Sequence, residues 1–307
     1  MRILVVGAGA TGGFFGGRLA LAGRDVAFLV RPRRAAALRE RGLRIVGAGL
    51  RGPEQELRPQ LVQPGGIDGP YDVVLLSVKA GALAPALEDV APAVGPGTVI
   101  VPFLNGMAHL DVIEHRFGAD AVLGGMVRIF GDVRVLDRLS ESVIADMAIG
   151  EPAGGTSARV ERIGKELSDA GFAVTVSPDI RGVMWHKWVF ISTLGALTTL
   201  MRGSVGEIVT AGGAWLGPAL LAEAAAVAAA AGHPLPNAQR DRIAASLTRA
   251  DSTDTASLYR DTAAGLPTEG DHILGDLTAR ARDLGVETPL LDLAALQLRV
   301  HDLRLKR

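Results

Sequence analysis

The residues of this chain with the clearest chemical spacing are three glycines near the amino terminus, Gly7, Gly9 and Gly12. They form a G-x-G-x-x-G pattern that directly follows the apolar run Ile3–Val6. Where such a pattern joins a buried strand to a helix, the first glycine permits the tight turn and the second lets the backbone approach a pyrophosphate. The third lets the helix pack closely on the strand. The spacing therefore predicts a dinucleotide site, although a chain with 39 glycines also produces it by chance.

The segments after the glycines help to decide between a dinucleotide site and a chance match. The predicted helix has Ala10 and Thr11 near its start, where free N–H groups and the positive end of the helix dipole attract phosphate. A second predicted strand, Val26–Val30, ends at Arg31. An acid there would bond the ribose 2′-hydroxyl of NAD, whereas an arginine accommodates the 2′-phosphate of NADP. The pattern favours NADPH/NADP over NAD, and the alternative is a glycine-rich turn beside a solvated basic cluster.

Two further polar residues follow later predicted strands. Lys79 comes after the strand Tyr71–Ser77, and Asn105 comes after the strand Thr98–Phe103. Ligands of an open parallel sheet bind outside the carboxyl ends of its strands. Lys79 is therefore predicted to contact a cofactor phosphate or ribose, and Asn105 to offer its amide to a nicotinamide or a substrate. The alternatives are a solvated lysine and an ordinary Asn-Gly turn.

The second half of the chain contains three candidates for acid–base or substrate chemistry. Lys187 lies among the bulky apolar residues of the segment Met184–Trp188. Desolvation lowers the pKa of a lysine, which suits a general acid that works near neutral pH. The alternative is an amphipathic lysine with its ammonium group in solvent. Ser257 and Glu269 flank a loop that contains glycine and proline, and the alternative for each is a helix cap.

Strand and helix patterns alternate in the first part of the chain and give way to helices after residue 178. The other predicted strands are Val122–Val127, Asp132–Leu136, Ser142–Ile149 and Phe172–Val176, and the alternation in the second and third of these indicates antiparallel pairing. The predicted helices are Gly12–Ala22, Ala35–Arg41, Leu83–Val90, Thr156–Ala170, Ile180–Met201 (as one long helix or two abutting ones), Ala214–Ala231, Pro236–Thr248, Thr268–Leu284 and Pro289–Leu303. This order predicts an α/β Rossmann-type NADP-binding domain at residues 1–178 and an all-α helical domain at residues 179–307.

Composition narrows the function classes further. The chain has 307 residues, a formal net charge of -1 and no cysteine. The near-zero charge argues against nucleic acid or an anionic membrane as a partner, and the lack of cysteine fits a cytoplasmic location. The six histidines show no metal-ligand spacing, so no metal site is expected. The alanine-rich stretch Ala219–Ala231 is too short to span a bilayer, and could pack inside its own domain or against a second subunit in a homodimer.

Together these motifs resemble those of the ketopantoate reductase (2-dehydropantoate 2-reductase) family, over essentially the whole chain. The matching residues are Gly7, Gly9 and Gly12, Arg31, Val78-Lys79-Ala80, Asn105-Gly106-Met107, Trp185-His186-Lys187, and Ser257 with Thr268-Glu269-Gly270-Asp271. The resemblance implies an N-terminal NADP-binding Rossmann domain, a C-terminal helical domain, a 2-keto acid substrate and a role in pantothenate biosynthesis.

The resemblance also implies roles for individual residues. Lys187 would be the general acid that protonates the keto oxygen while NADPH delivers hydride to the carbon. Glu269 would hold the substrate hydroxyl or tune Lys187, and Ser257 would bind the substrate carboxylate. Asn105 would contact both nicotinamide and substrate. Lys79 and Arg31 would contact the cofactor.

The chain departs from this family at two positions after Lys187. Pantoate-making members usually carry asparagines four and eight residues beyond the lysine, where this chain has Ile191 and Gly195. Loss of a buried hydrogen-bond partner costs about 1–3 kcal/mol, which is enough to change substrate preference. We therefore expect an NADPH-dependent reductase of ketopantoate or of another 2-keto acid. Two alternatives stay open: a non-catalytic NADP-binding redox sensor or scaffold, and a hydroxy-acid dehydrogenase that works in the oxidative direction.

Overall fold

The computed structural model describes residues 1–45, 55–130, 133–134, 138–139 and 144–306. The chain divides into two compact units. The first unit comprises Met1–Leu104 and His109–Val183, and the second comprises Asn105–Ala108 and Met184–Arg307. The first contains a parallel sheet with helices and the second is built from helices, which confirms the predicted fold class. The predicted domain boundary after residue 178 stays a prediction.

The described strands of the first unit are short, from two to seven residues long. In the described residues they are β1 (Arg2–Val6), β2 (Asp25–Leu29), β3 (Leu43–Ile45), β4 (Gln55–Leu57), β5 (Gln60–Val62), β6 (Val73–Leu76), β7 (Val99–Pro102), β8 (Gly124–Phe130), β9 (Val133–Arg134), β10 (Arg138–Leu139), β11 (Ile144–Gly150) and β12 (Ala173–Val176). The helices among them are α1 (Ala10–Leu21), α2 (Pro32–Arg41), α3 (Leu83–Val90), α4 (Ala108–Phe117) and α5 (Ala158–Leu167).

The main sheet is parallel throughout and has the strand order β5-β2-β1-β6-β7. Its central strands β1 and β6 are buried along almost their whole length, as expected for strands covered on both faces. A smaller sheet pairs β11 with β8 in antiparallel and with β12 in parallel orientation. Phe14, Phe15 and Phe172 form a buried aromatic cluster in this unit.

Two predicted segments of the first unit gain their partners and bounds only in the structure. Antiparallel pairing was predicted for Asp132–Leu136 and Ser142–Ile149, and the described parts of both are antiparallel: β11 pairs with β8, and β9 pairs with β10. Residues 132 and 135–136 of that predicted strand, and residues 142–143 of the next, lie outside the described residues. Helix α2 begins at Pro32 instead of Ala35, because proline suits the first position of a helix. A strand's partner depends on contacts far away in sequence, which alternation alone does not contain.

The second unit is organised around the long helix α6 (Ile180–Met201), a single 22-residue helix that belongs to this unit from Met184 onward. The other helices are α7 (Val205–Ile208), α8 (Leu216–Ala230), α9 (Asn237–Ser246), α10 (Ser257–Ala263), α11 (Asp276–Asp283) and α12 (Pro289–Arg304). A π-helical turn, Asp271–Gly275, leads into α11. The sequence reasoning missed α10, which is only seven residues long, and treated Ser257 as the edge of a loop.

The alanine-rich helix α8 packs inside the second unit. Its apolar side includes Leu220 and Val227, both fully buried. Glu223 accepts hydrogen bonds from the backbone N–H groups of Leu290 (3.1 Å) and Leu291 (3.0 Å) in the first turn of α12. A carboxylate is stabilised there by the helix dipole, which explains an acid within an apolar helix.

One structural observation bears on membranes. Within the described residues, no one helix is both long and apolar enough to cross a bilayer. The pair Val205–Gly213 and Leu216–Ala230, bent by 112°, reaches that length and composition when its two arms are taken together.

Candidate functional site

The glycine turn of the first unit leaves room for a ligand at one glycine and none at the other two. Gly7 has a φ of +94°, and a Cβ there would lie 2.7 Å from the carbonyl oxygen of Ser77. A Cβ at Gly12 would lie 2.1 Å from the carbonyl oxygen of Gly7. A Cβ at Gly9 would meet no atom within 4 Å. The geometry matches a turn glycine, an open glycine at the helix start and a helix-packing glycine.

The first turn of α1 faces solvent beside this turn. Gly9 precedes the helix, Ala10 is exposed and Thr11 is half-buried, whereas Gly12 is buried. Because glycine has no side chain to cap the helix, the first backbone N–H groups of α1 are suited to an anion. This is the arrangement that a dinucleotide pyrophosphate requires.

Hydrogen bonds between the parallel strands bring the predicted cofactor residues to one edge of the sheet. The N–H of Gly7 donates to the carbonyl of Leu29 (3.1 Å), and the N–H of Ser77 donates to the carbonyl of Val6 (3.0 Å). The carboxyl ends of β2, β1 and β6 therefore lie side by side. Arg31 and Lys79 follow β2 and β6 at this edge, and both are exposed.

Arg34 is a residue of this edge that the sequence reasoning did not single out. Its guanidinium donates a hydrogen bond of 2.7 Å to the carbonyl of Ala8, inside the glycine turn. Burial lowers the pKa of Arg34 from its usual high value, although an arginine stays charged in proteins. Arg34 therefore supports the turn, while Arg31 is directed to solvent. The signal was the basic cluster itself, but sequence could not assign separate tasks to its members.

Lys187 lies in the second unit on α6 and is half-buried. The neighbouring Trp185 and Trp188 are buried, and their rings lie 4.8 Å apart. The indole Nε1–H of Trp188 donates to the carbonyl of Ile273 (2.9 Å), which fixes the lysine-bearing turn against the π-helical turn. Half-burial of Lys187 fits both the predicted general acid and the amphipathic-lysine alternative, so its role stays a prediction.

Asn105 is also part of the second unit and is held by His272. The Nε2–H of His272 donates a 2.6 Å hydrogen bond to the backbone carbonyl of Asn105, since a carbonyl can only accept. The next residue, Gly106, has a φ of +79°. A Cβ at Gly106 would lie 3.2 Å from the carbonyl oxygen of His272. Sequence reasoning considered His272 only as a metal ligand, because its partner is 167 positions away.

Glu269 stands just before the π-helical turn. Its carbonyl accepts the N–H of Ile273 at 2.9 Å, and its side chain is half-buried. Gly270 precedes the π-helical turn, and its N–H donates a hydrogen bond of 3.1 Å to the hydroxyl oxygen of Thr268. Glu269 therefore lies at the start of this helical region, as the helix-cap alternative expects, and its role in the site stays a prediction.

Ser257 is the exposed first residue of α10, and the residue before that helix is Ala256. Ala256, and not Ser257, therefore occupies the cap position of this helix, and the predicted role of Ser257 stays a prediction. Two hydrogen bonds thus join three of the predicted site segments within the second unit: Trp188 to Ile273 ties the Lys187 helix to the Glu269 segment, and His272 to Asn105 ties that segment to the Asn-Gly turn.

Known proteins are similar to this chain in both of its units. The model of the family described as Ketopantoate reductase PanE/ApbA matches residues 3–134, and that of its C-terminal part matches residues 179–301. The chain is 33% identical to the uncharacterized oxidoreductase YkpB of Bacillus subtilis, over 98% of this chain and 99% of that protein. It is 27% identical to the 2-dehydropantoate 2-reductase of Mesorhizobium japonicum, over 95% of both chains.

A solved structure shares the fold. The ternary structure of D-mandelate dehydrogenase with NADH and anilino(oxo)acetate superposes with a TM-score of 0.85 at 22% identity, covering 100% of both chains. Proteins of this fold therefore include one that binds a nicotinamide dinucleotide. The two family matches together cover most of the chain, in the order that the two units follow. The chain belongs to the ketopantoate reductase PanE/ApbA family of oxidoreductases.

Proposed function

We propose that this protein is an NADPH-dependent reductase that converts a 2-keto acid to a 2-hydroxy acid. The proposal rests on two hydrogen bonds that hold three candidate residues on neighbouring segments. The bond from Trp188 to Ile273 links the Lys187 helix to the Glu269 segment, and the bond from His272 links that segment to Asn105. An acid, a carboxylate and an amide held on one scaffold are the groups that reduction of a keto acid needs. Retention of all three argues for catalysis.

The edge of the parallel sheet fits the cofactor. The open space at Gly9 and the exposed start of α1 suit a pyrophosphate, and exposed Arg31 suits a 2′-phosphate. When bound, NADPH supplies the hydride for the carbonyl carbon. Lys79, exposed at the same edge, is proposed to contact the cofactor phosphate or ribose.

Lys187 is proposed to act on the oxygen of the same carbonyl. Its ammonium group stabilises the negative charge that develops there and then donates a proton, so that an alcohol forms. Ser257 is proposed to bind the substrate carboxylate. Glu269 is proposed to hold the substrate or to tune Lys187, and Asn105 to orient substrate and nicotinamide.

Ketopantoate is the leading named substrate, which would place the enzyme in pantothenate biosynthesis. Similarity to the 2-dehydropantoate 2-reductase of Mesorhizobium japonicum supports it. The residues Ile191 and Gly195 argue against ketopantoate, because neither has a polar side chain to bind its hydroxyl group. The second candidate function is a non-catalytic NADP-binding sensor or scaffold, and the same two positions favour it.

The decisive test is oxidation of NADPH by the purified protein with a panel of 2-keto acids that includes ketopantoate. Keto-acid-dependent oxidation, together with the matching 2-hydroxy acid as product, is the expected result. Tight NADPH binding without turnover on any member of the panel would overturn the reductase proposal and favour the sensor. Oxidation of the hydroxy acid with NADP in the reverse assay measures the other direction.

We also propose that two copies of the chain associate through α12. Leu293, Leu296 and Leu303 are 54%, 55% and 59% exposed, and with Val300 they line one face of that helix. Exposed apolar patches of this kind mark protein interfaces. We expect the wild-type protein to sediment as a dimer in analytical ultracentrifugation and the Leu296→Glu variant as a monomer. A monomeric wild-type protein would exclude this dimer.

A further inference from the structure

The face of α6 that carries Lys187 becomes apolar immediately beyond the lysine. Phe190, Ile191 and Leu194 follow at spacings of three, four and seven residues, which places them on the same side of the helix. All three are half-buried, so part of each side chain is accessible. A molecule whose carbonyl lies at the ammonium group of Lys187 would therefore have aliphatic or aromatic surface as its neighbour along the helix.

Gly195, one turn beyond Ile191, is covered by a leucine. A Cβ at Gly195 would lie 2.8 Å from Cδ1 of Leu258, and Leu258 is only 2% exposed. A polar side chain at position 195 would displace this leucine from a packed position. The apolar character of the face is thus continued by a residue from α10.

The same contact connects the lysine face to Ser257. Leu258 is the residue after Ser257 in the first turn of α10, so its packing on Gly195 positions that turn against α6. The hydroxyl of Thr198 also accepts the N–H of Ala256, at 3.4 Å. Ile191 therefore lies on the helix that carries Lys187, the proposed acid. Leu258 lies on the helix that carries Ser257, the proposed carboxylate-binding residue.

We infer that the keto acid reduced by this protein carries a branched aliphatic or aromatic group, without a hydroxyl, beside its carbonyl. Ile191 and its apolar neighbours on α6 set this preference, and Leu258 occupies the place that a polar side chain at position 195 would need. The inference rests on the proposed function, which assigns Lys187 to the carbonyl oxygen. A hydroxyl buried against these side chains would lose its hydrogen bonds to water and gain none. A methyl group at that place gains contacts instead.

Two substrates that differ by one hydroxyl test this preference. Ketopantoate is 3,3-dimethyl-2-oxobutanoate with one methyl group hydroxylated. We expect the wild-type kcat/KM to be about tenfold or more higher for 3,3-dimethyl-2-oxobutanoate, with a ceiling of about 10²-fold because an apolar site rejects an added hydroxyl only to that extent. A wild-type preference for ketopantoate would overturn the inference and leave the reductase proposal intact.

The variant Ile191→Asn assigns the preference to this face. Position 191 is half-buried, so the substitution is compatible with folding, which thermal unfolding checks. We expect it to lower kcat/KM for 3,3-dimethyl-2-oxobutanoate and to raise it for ketopantoate, and the double variant Gly195→Asn with Leu258→Ala to do the same. Val112→Asn, at an exposed position of α4, is the control and should leave the ratio unchanged.

The outcomes separate the two proposals. A folded Ile191→Asn variant with the wild-type ratio of the two substrates would overturn the inference, because the side chain would then not contact the substituent. A wild-type protein that binds NADPH and reduces neither acid, nor any other 2-keto acid of the panel, would overturn the proposed function and the inference with it.

Discussion

The two units contribute different chemical groups to the proposed reaction: the first contributes backbone groups and the second contributes side chains. In the first unit the Gly7–Gly12 stretch offers backbone N–H groups and empty space, and its glycines matter because they lack side chains. In the second unit Lys187, Glu269 and Asn105 offer side chains, and each depends on a neighbour that holds its backbone in place.

The difference lies in how far apart in sequence the parts are. The glycine turn and the arginine that supports it, Arg34, all fall within the first strand–helix–strand unit and the start of α2. The second cluster joins residues from positions 105, 188 and 272, far apart along the chain. A site made from local backbone is specified by a short motif, whereas a side-chain site exists only after the helices pack.

The largest expected effect is in the second unit. Lys187→Ala should lower kcat by about 10²–10⁴-fold, because loss of a general acid removes that much rate. Affinity for NADPH, measured by isothermal titration calorimetry, should be unchanged, since the glycine turn is untouched. Lys306→Ala, an exposed lysine in the same unit, is the control. A Lys187→Ala enzyme with wild-type turnover would remove this residue from the mechanism.

The next effect separates two glycines of the first unit. Gly12→Ala should lower the free energy of unfolding by about 1–3 kcal/mol, because the new Cβ overlaps the carbonyl of Gly7. Gly9→Ala has room for its Cβ and an ordinary φ of -77°, so it should fold normally and lose NADPH affinity alone. Denaturant unfolding and NADPH titration of both variants measure this. Equal stability of the two would contradict the packing role of Gly12.

The two arginines at the sheet edge should differ in the same assay. Arg31→Ala should weaken NADPH binding by about 10–100-fold, since a charge-assisted hydrogen bond contributes about 1.5–3 kcal/mol. NADH binding should change little. Arg34→Ala should weaken both nucleotides, because its bond to Ala8 supports the turn itself. Equal losses of NADPH and NADH affinity in Arg31→Ala would show that Arg31 does not contact the 2′-phosphate.

The smallest effect concerns the bond between His272 and the carbonyl of Asn105. His272→Met removes the donor at similar size and should lower kcat/KM about fivefold, the equivalent of a hydrogen bond of about 1 kcal/mol. His272→Gln retains an N–H at a comparable reach and should restore most of it. NADPH affinity at the first unit should not follow this pattern. Identical kcat/KM values for the Met and Gln variants would assign His272 a packing role only.

Sequence reasoning succeeded where the signal was local. The burial of β1 and the turn at Gly7 followed from apolar runs and glycine spacing. The span of α6 followed from helical periodicity, which left one helix or two abutting helices open until the structure showed one. It left the partner of β11 unnamed, because alternation indicates an antiparallel strand without identifying its neighbour. It missed α10, since seven residues carry little periodic signal.

For the candidate site the division is similar. The positions of Lys187, Glu269 and Asn105 came from motifs, and their roles stay predictions. The hydrogen bond from His272, the support from Arg34 and the packing of Leu258 on Gly195 were invisible in the sequence. Each joins atoms that only the folded chain brings together.

The sequence by itself determined the glycine turn at the start of α1 and the order of an α/β region and a helical region, and it placed Lys187, the proposed acid, on α6. These depend on neighbouring residues, whose conformations are coupled through the backbone. Tertiary structure decided what lies beside Lys187: Trp188 anchored to Ile273, and Leu258 over the space at Gly195. Packing fills space with whichever side chain the neighbouring helix presents, and so it is packing that shapes the surface a substrate meets.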